Sequence, residues 1–151
     1  MGSLSVRAAT PADAATIAAF NLAMARETED KGLDEATLVR GVERALADPE
    51  RGRYRVAERD GRVVACLLVT REWSDWRDAW FWWIQSVYVA PDARRTGVYA
   101  ALHDDVAREA RAAGDVCGIR LYVETENHTA QLTYERMGMH RAHYHMFEQL
   151  L

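Results

Sequence analysis

The densest chemistry in the chain lies in Val87-Tyr88-Val89-Ala90-Pro91-Asp92-Ala93-Arg94-Arg95-Thr96-Gly97-Val98-Tyr99-Ala100. An apolar, strand-like run ends there, a basic turn with one glycine follows, and a helical pattern begins. The first turn of a helix has unpaired backbone N–H groups and carries the positive end of the helix dipole. Gly97 lets an anion approach closely, and Arg94 and Arg95 add positive charge, so the segment is a candidate phosphate or pyrophosphate seat. It has neither the Gly-Lys-Ser/Thr of a triphosphate-binding loop nor the three glycines of a dinucleotide fingerprint. On these residues alone, a plain helix start with two solvated arginines explains the pattern equally well.

Other residue groups invite chemistry less strongly. Trp73, Trp76, Trp80, Trp82 and Trp83 crowd into eleven positions. Strand alternation would put Trp80 and Trp82 on one face and Phe81 and Trp83 on the other, so core packing and a groove wall explain them better than a single aromatic pocket. His143 and His145 share a strand face with no carboxylate or cysteine at ligand spacing, so no metal site is expected. The acidic residues Glu27, Glu29, Asp30, Asp34 and Glu35 read as a solvated face that could also attract a cationic amine. Arg51, Arg53, Arg55 and Arg59 read as one exposed edge. Cys66 sits in the apolar run Val63 to Val69, where a buried, inert thiol is the plain expectation. Cys117 has no partner at disulfide or ligand spacing, so a reducing, cytoplasmic compartment is expected.

The elements that must position these residues follow from period and punctuation. Leu4 to Ala9 reads as a strand. Thr10-Pro11-Ala12-Asp13 opens a helix with a hydroxyl cap, a proline at the first helical position and a carboxylate three residues after the cap. Ile17, Phe20 and Met24 form its buried stripe. Asp34 caps a second helix with Leu38, Val42, Ala45 and Leu46 on one face, ended by Asp48-Pro49. Tyr54 to Glu58, the turn Asp60-Gly61 and Arg62 to Thr70 predict a hairpin, and Trp80 to Val89 another strand. Gly97 to Ala113 is helical and stops at Gly114. Ile119, Leu121 and Val123 alternate as a strand, Thr129 to Met137 is a short helix, and His140 to Phe147 a last strand. The order β-α-α-β-β-β-α-β-α-β predicts a mixed, mostly antiparallel sheet with helices on both faces. The strands flanking the Gly97 helix should be parallel through a right-handed crossover.

The 151 residues fit one domain, 1–151, and 49% hydrophobic with 28% charged residues is an ordinary globular balance. The net charge of −4 argues against a nucleic-acid partner. No apolar stretch is long enough to span a membrane, and the first residues lack the pattern of a secretory signal.

A second segment lies downstream: Leu121-Tyr122-Val123-Glu124-Thr125-Glu126-Asn127-His128-Thr129-Ala130-Gln131-Leu132-Thr133-Tyr134-Glu135-Arg136-Met137-Gly138-Met139. With it, the chain resembles the GNAT superfamily of acetyl-CoA-dependent N-acetyltransferases. Arg94 and Gly97 match the family's pyrophosphate loop, Gln/Arg-x-x-Gly-x-Gly/Ala, although Tyr99 stands at its last small position. Asn127, Ala130, Tyr134 and Gly138 match its Asn-x-x-Ala-x-x-x-Tyr-x-x-x-Gly pattern, and the element order follows as well.

The resemblance implies transfer of an acetyl group from acetyl-CoA to a primary amine by direct attack in a ternary complex, with no metal. Backbone N–H groups of Arg95, Thr96, Gly97, Val98, Tyr99 and Ala100 would hold the pyrophosphate. The strand with Val87 and Val89 would pair with the pantetheine arm, Asn127 would contact the cofactor, and Tyr134 would protonate the departing thiolate. Relatives often place a glutamate before the phosphate loop. Gln85 stands there and cannot ionise, which leaves it to orient a water or the amine and makes Glu124 the leading candidate base. The acceptor is an amine on a small molecule or peptide, and a two-fold homodimer is the default for an oligomer. The alternative is a non-catalytic sensor that binds acyl-CoA on the same fold.

Overall fold

The computed structural model describes residues 2–28 and 33–151. Glu29, Asp30 and Lys31 of the expected acidic turn lie outside the described residues. The chain forms two compact units, Met1–Leu121 and Tyr122–Leu151.

In the first unit, β1 (Leu4–Ala8) leads through a short 3-10 turn (Pro11–Asp13) into α1 (Ala14–Thr28), then α2 (Glu35–Ala47). Next come β2 (Arg53–Arg59), β3 (Arg62–Ser74), β4 (Ala79–Val89), α3 (Val98–Ala113) and β5 (Val116–Arg120). The five strands form one sheet in sequence order. Only the β4–β5 pairing is parallel. This is the mixed, mostly antiparallel sheet with helices on both faces that the element pattern predicts.

The start of α1 is set as expected: the Asp13 carboxylate accepts the Thr10 backbone N–H at 2.8 Å. Asp34 caps α2 by accepting from the Thr37 N–H at 3.1 Å. Asp60 and Gly61 both take positive φ, 54° and 76°, as a two-residue hairpin turn requires. Strand alternation then divides the core. Ala57, Val64, Leu67, Val69, Trp82 and Ile84 face α3, whose stripe is Val98, Leu102, Val106 and Ala110. Tyr54, Val56, Cys66 and Tyr88 face α1 and α2 through Ile17, Ala18, Val42 and Ala45. Fully buried side chains such as Leu67 and Leu102 each contribute about 1.5–3 kcal/mol by leaving water.

Three expectations need correction. The strand expected over Ile119, Leu121 and Val123 lies earlier, at Val116–Arg120, because its ladder with β4 runs only from Trp80↔Val116 to Trp83↔Arg120. Alternation outlasts the pairing that makes a strand. Second, the four arginines are not one exposed edge. Arg55 is largely buried, bonded to Asp105 and 3.1 Å from Glu109, and Arg59 reaches the loop before α3.

Third, His140 to Phe147 forms no strand. The second unit contains α4 (His128–Arg136), and residues 139–151 carry neither helix nor strand. A strand pattern is an instruction to pair, and alternation alone does not supply the partner. The sheet ends at β5.

The tryptophans divide as alternation requires. Trp82 is buried in the α3-facing core, while Trp76, at the β3–β4 turn, is almost fully exposed. Trp73 stacks edge-on against Trp80 at 5.0 Å, and the Arg71 guanidinium lies 4.4 Å from the Trp80 ring centre.

Candidate functional site

Two irregularities in the first unit create the site. The β3–β4 ladder slips between Cys66↔Tyr88 and Leu68↔Gln85, so β4 carries an extra residue there. Ser86 takes φ 50°, the left-handed conformation of a bulge. Beyond the bulge, the Ala90 N–H donates to Val64 of β3 at 2.8 Å. Backbone groups alternate along a strand, so those of Val89, and of Val87 two residues before it, point to the opposite edge. The parallel pairing with β5 has already ended at Trp83. The edge bearing Val87 and Val89 therefore lies outside the β4–β5 ladder and can accept an extended ligand in place of a strand.

The second irregularity is the loop into α3. Arg95 has φ 63° and Gly97 φ 83°, so the chain bends sharply and enters the helix from a left-handed glycine. Asp34 caps α2 and Asn127 caps α4, but no side chain caps α3. The N–H groups of its first turn have no intrahelical acceptors. The space where a Gly97 side chain would sit is open to at least 4 Å. Uncapped amides, the helix dipole and the exposed Arg95 form a concave donor set suited to a diphosphate.

The flanking side chains hold this loop. Thr96 Oγ1 donates to the Ala93 carbonyl at 2.6 Å and accepts from Arg59 Nη1 at 3.0 Å. Arg59, which the sequence reading places on an exposed edge and not at the site, thus braces the loop from the β2–β3 turn. Its only sequence signal is its place one residue before Asp60-Gly61.

Arg94 is occupied. It bonds both carboxylate oxygens of Glu27 at 3.1 and 3.2 Å and donates from Nε to the Val89 carbonyl at 2.8 Å. Its guanidinium also lies 5.3 Å from the Tyr88 ring centre. The structure thus uses Arg94 to tie the end of α1 to the end of β4, and both Arg94 and Arg95 are exposed.

The Tyr99 hydroxyl lies 3.1 Å from His103 Nδ1, one turn along α3, which directs its bulk along the helix. His103 is buried, and loss of hydration holds its imidazole below the usual 6.5. The folded protein therefore keeps a neutral imidazole where an unfolded chain would bind a proton. Stability from this group is full above about pH 6.5 and falls as pH drops toward the folded value. Calorimetry should show a lower Tm at pH 5.5 than at pH 7.5, and His103→Gln should flatten that slope.

Gln85 Nε2 donates to Thr70 Oγ1 of β3 at 2.5 Å, next to the bulge. Cys66 is buried and its thiol is pushed up to about 12, so it is inert at neutral pH.

The second unit places the remaining residues. Asn127 is the N-cap of α4, its Oδ1 accepting the Ala130 N–H at 3.2 Å. Glu124 is exposed and its carboxylate accepts the Glu126 N–H at 2.8 Å, closing the turn before the helix. Gln131 donates to the carbonyls of Glu124 and Thr125 at 3.3 and 3.0 Å and locks the same turn. Tyr134 lies half-buried on α4, and burial pushes its phenol above the usual 10.0. His128 begins this helix and His143 and His145 are exposed beyond it.

Comparison with known proteins agrees with this geometry. A profile of the Acetyltransferase (GNAT) family matches residues 17–139. A possible acetyltransferase from Clostridium difficile 630 is 41% identical, with 98% of this chain and 97% of that chain covered at a TM-score of 0.91. A ribosomal-protein-alanine N-acetyltransferase from Brucella melitensis biovar Abortus 2308 shares the fold at 17% identity and TM-score 0.79, covering 99% of each chain. So does an aminoglycoside N-acetyltransferase, AAC(6')-Iy, in complex with CoA, at 14% identity and TM-score 0.81, covering 99% of this chain and 96% of that one. No curated protein sequence matched. No described helix is long and apolar enough to cross a membrane. With an uncapped, glycine-led α3 following a bulged β4, and a family match over most of its length, the chain belongs to the GNAT acetyltransferase family and is an acyltransferase.

Proposed function

We propose that the chain is an acetyl-CoA-dependent N-acetyltransferase, a single working domain over 1–151 in the cytoplasm, acting on a primary amine of a small molecule or peptide. The observation that carries this reading is the α3 entrance: amides without a cap, Gly97 at φ 83° and open space before it. That donor set fits the diphosphate of coenzyme A. When bound, the coenzyme supplies an activated acetyl thioester. Backbone N–H groups from Arg95 to Ala100 hold the diphosphate, and the edge of β4 at Val87 and Val89 aligns the extended arm. Since Arg94 occupies the Val89 carbonyl, the N–H of that residue is the group left for pairing.

The amine attacks the thioester carbon directly, forming the C–N bond as the C–S bond breaks. A primary amine near ~10.4 must first lose a proton to water or a base. Glu124 is the carboxylate we assign to that proton, with Gln85 orienting the amine or its water. We assign the developing oxyanion to a backbone N–H at the bulge, where Ser86 takes φ 50°. Tyr134 returns a proton to the leaving sulfur. Asn127 acts through its cap, which fixes the start of the helix that carries Tyr134.

A purified sample should be stabilised by CoA in a thermal-shift assay and should release thiol from acetyl-CoA with some member of an amine library. Failure to bind CoA would end this reading. CoA binding with no acetylation across the library would favour a non-catalytic acyl-CoA sensor, the second reading, which the non-ionising Gln85 supports.

Arg59 provides a sharper check on the loop. Arg59→Met removes the brace on Thr96 without touching the donor amides. It is expected to raise KM for acetyl-CoA roughly 5- to 30-fold, the effect of losing about 1–2 kcal/mol. The kcat should change less than 2-fold. Steady-state kinetics that moved kcat instead would place Arg59 in another role.

A further inference from the structure

The first unit holds a cavity that the coenzyme chemistry does not use. It measures about 330 Å³ and lies where the end of α2, the start of β2 and the C-terminal half of α3 meet. Leu46, Pro49, Val69 and Trp82 supply its apolar lining, and Arg53, Arg55 and Glu109 its charged one. Glu109 follows Val98 by eleven residues, about 16 Å along α3, so the cavity stands apart from the diphosphate seat at the helix tip.

The charged side chains in and beside this cavity are matched, with one exception. Arg55 bonds Asp105 and lies 3.1 Å from Glu109, and Arg108 bonds Asp105 as well. Arg51 lies 3.4 Å from Asp48, and Arg71 3.2 Å from Glu50. The exception is Arg53. It is exposed, and among the described residues no carboxylate pairs with it and no hydrogen bond occupies its N–H donors. Its guanidinium lies 5.0 Å from the centre of the Trp82 ring, a contact that holds the group at the cavity and uses no donor. The cavity therefore joins an apolar wall to one unmatched cation whose hydrogen-bonding edge is open.

We infer that this cavity binds a small organic monocarboxylate, its carboxylate seated on Arg53 and its apolar body laid against Leu46, Val69 and Trp82. Arginine presents a planar fork that takes both oxygens of a carboxylate. One unmatched cation balances one negative charge, and the Glu109 carboxylate in the same lining repels a second, which disfavours a phosphate dianion. The volume stands at the lower end of ligand pockets, so the apolar body is about one ring or a short branched chain. The inference does not rest on the acetyltransferase reading.

The test uses the full chain, with benzoate as the probe. Calorimetric titration should show benzoate saturating the protein below about 10 mM. Acetate lacks the ring and benzamide lacks the charge, so each should bind about 10-fold more weakly or worse. Arg53→Gln should weaken benzoate roughly 10- to 100-fold, the worth of a charge-assisted hydrogen bond, and Arg53→Lys should restore part of the loss. Ala8 is exposed and lines the same cavity, so Ala8→Phe should block benzoate with Arg53 in place. Both positions are at the surface, and circular dichroism should be unchanged in all three variants. Benzoate affinity should be the same with and without CoA, so a failure of the coenzyme reading leaves this result standing. No saturation by about 10 mM benzoate, equal binding of benzamide, or full affinity in Arg53→Gln would overturn the inference. So would displacement of benzoate by CoA or by inorganic phosphate.

Discussion

Tyr134→Phe is expected to lower turnover on a true acceptor by about 10²- to 10⁴-fold, the usual worth of a positioned general acid, with the affinity for CoA almost unchanged. The substitution removes one hydroxyl and keeps the ring, so it leaves the packing of α4 intact. Burial raises the phenol above 10.0, which sets the sign of the pH dependence. A raised value keeps Tyr134 protonated through neutral and mildly alkaline solution. The rate should therefore rise with pH as the amine loses its proton, with no falling limb below about pH 10. In the phenylalanine variant the rising limb should persist and only its plateau should drop. Turnover within 3-fold of wild type would remove Tyr134 from proton transfer. A falling limb near pH 8 in the wild type would assign the acid to another group.

The contrast between what was legible and what was hidden has a consistent cause. Period and punctuation are local signals, and they hold: Asp34 does cap a helix, Asp60-Gly61 does turn a hairpin, and α3 does follow Gly97. The start of α3 is legible for the same reason, since a helix start is written in adjacent residues. Side-chain partnerships were not. The pairing of Arg94 with Glu27, 67 positions away, has no local signal. Arg55 and Arg59 looked like a solvated edge because Asp105 and Thr96 lie far along the chain. The bulge at Ser86 had no sequence signal, because its cause is a register slip against β3 and the ordinary residue Ser takes the strained φ. His140 to Phe147 shows the same limit in another form: alternation states that a segment can be a strand but not which edge it joins.

The second large effect is on stability. Asp105→Ala is expected to destabilise the fold by about 3 kcal/mol, the lower end for removing one partner of a buried ion pair. Asp105 is 4% exposed on α3, where it bonds Arg55 of β2 and Arg108 of its own helix. Arg55 is itself largely covered, and its Nε has no hydrogen-bond partner, so the guanidinium depends on its carboxylates. Without Asp105, only Glu109 at 3.1 Å would face it, and Glu109 is partly solvated. That remaining contact places the cost near 3 rather than 5 kcal/mol. Urea unfolding measures the loss directly. Combining Asp105→Leu with Arg55→Met should recover most of it, because two apolar side chains need no compensation where one stranded charge does. A loss below 1 kcal/mol for the single change would mean that the pair is not what holds α3 to β2. The site should be spared in the folded fraction. Asp105 follows Val98 by seven residues, about 10 Å along the helix, and the Val98, Leu102 and Val106 stripe still seats the first turns against the sheet. CoA affinity of folded Asp105→Ala should therefore stay within about 3-fold of wild type, separating the helix's anchorage from the chemistry at its tip.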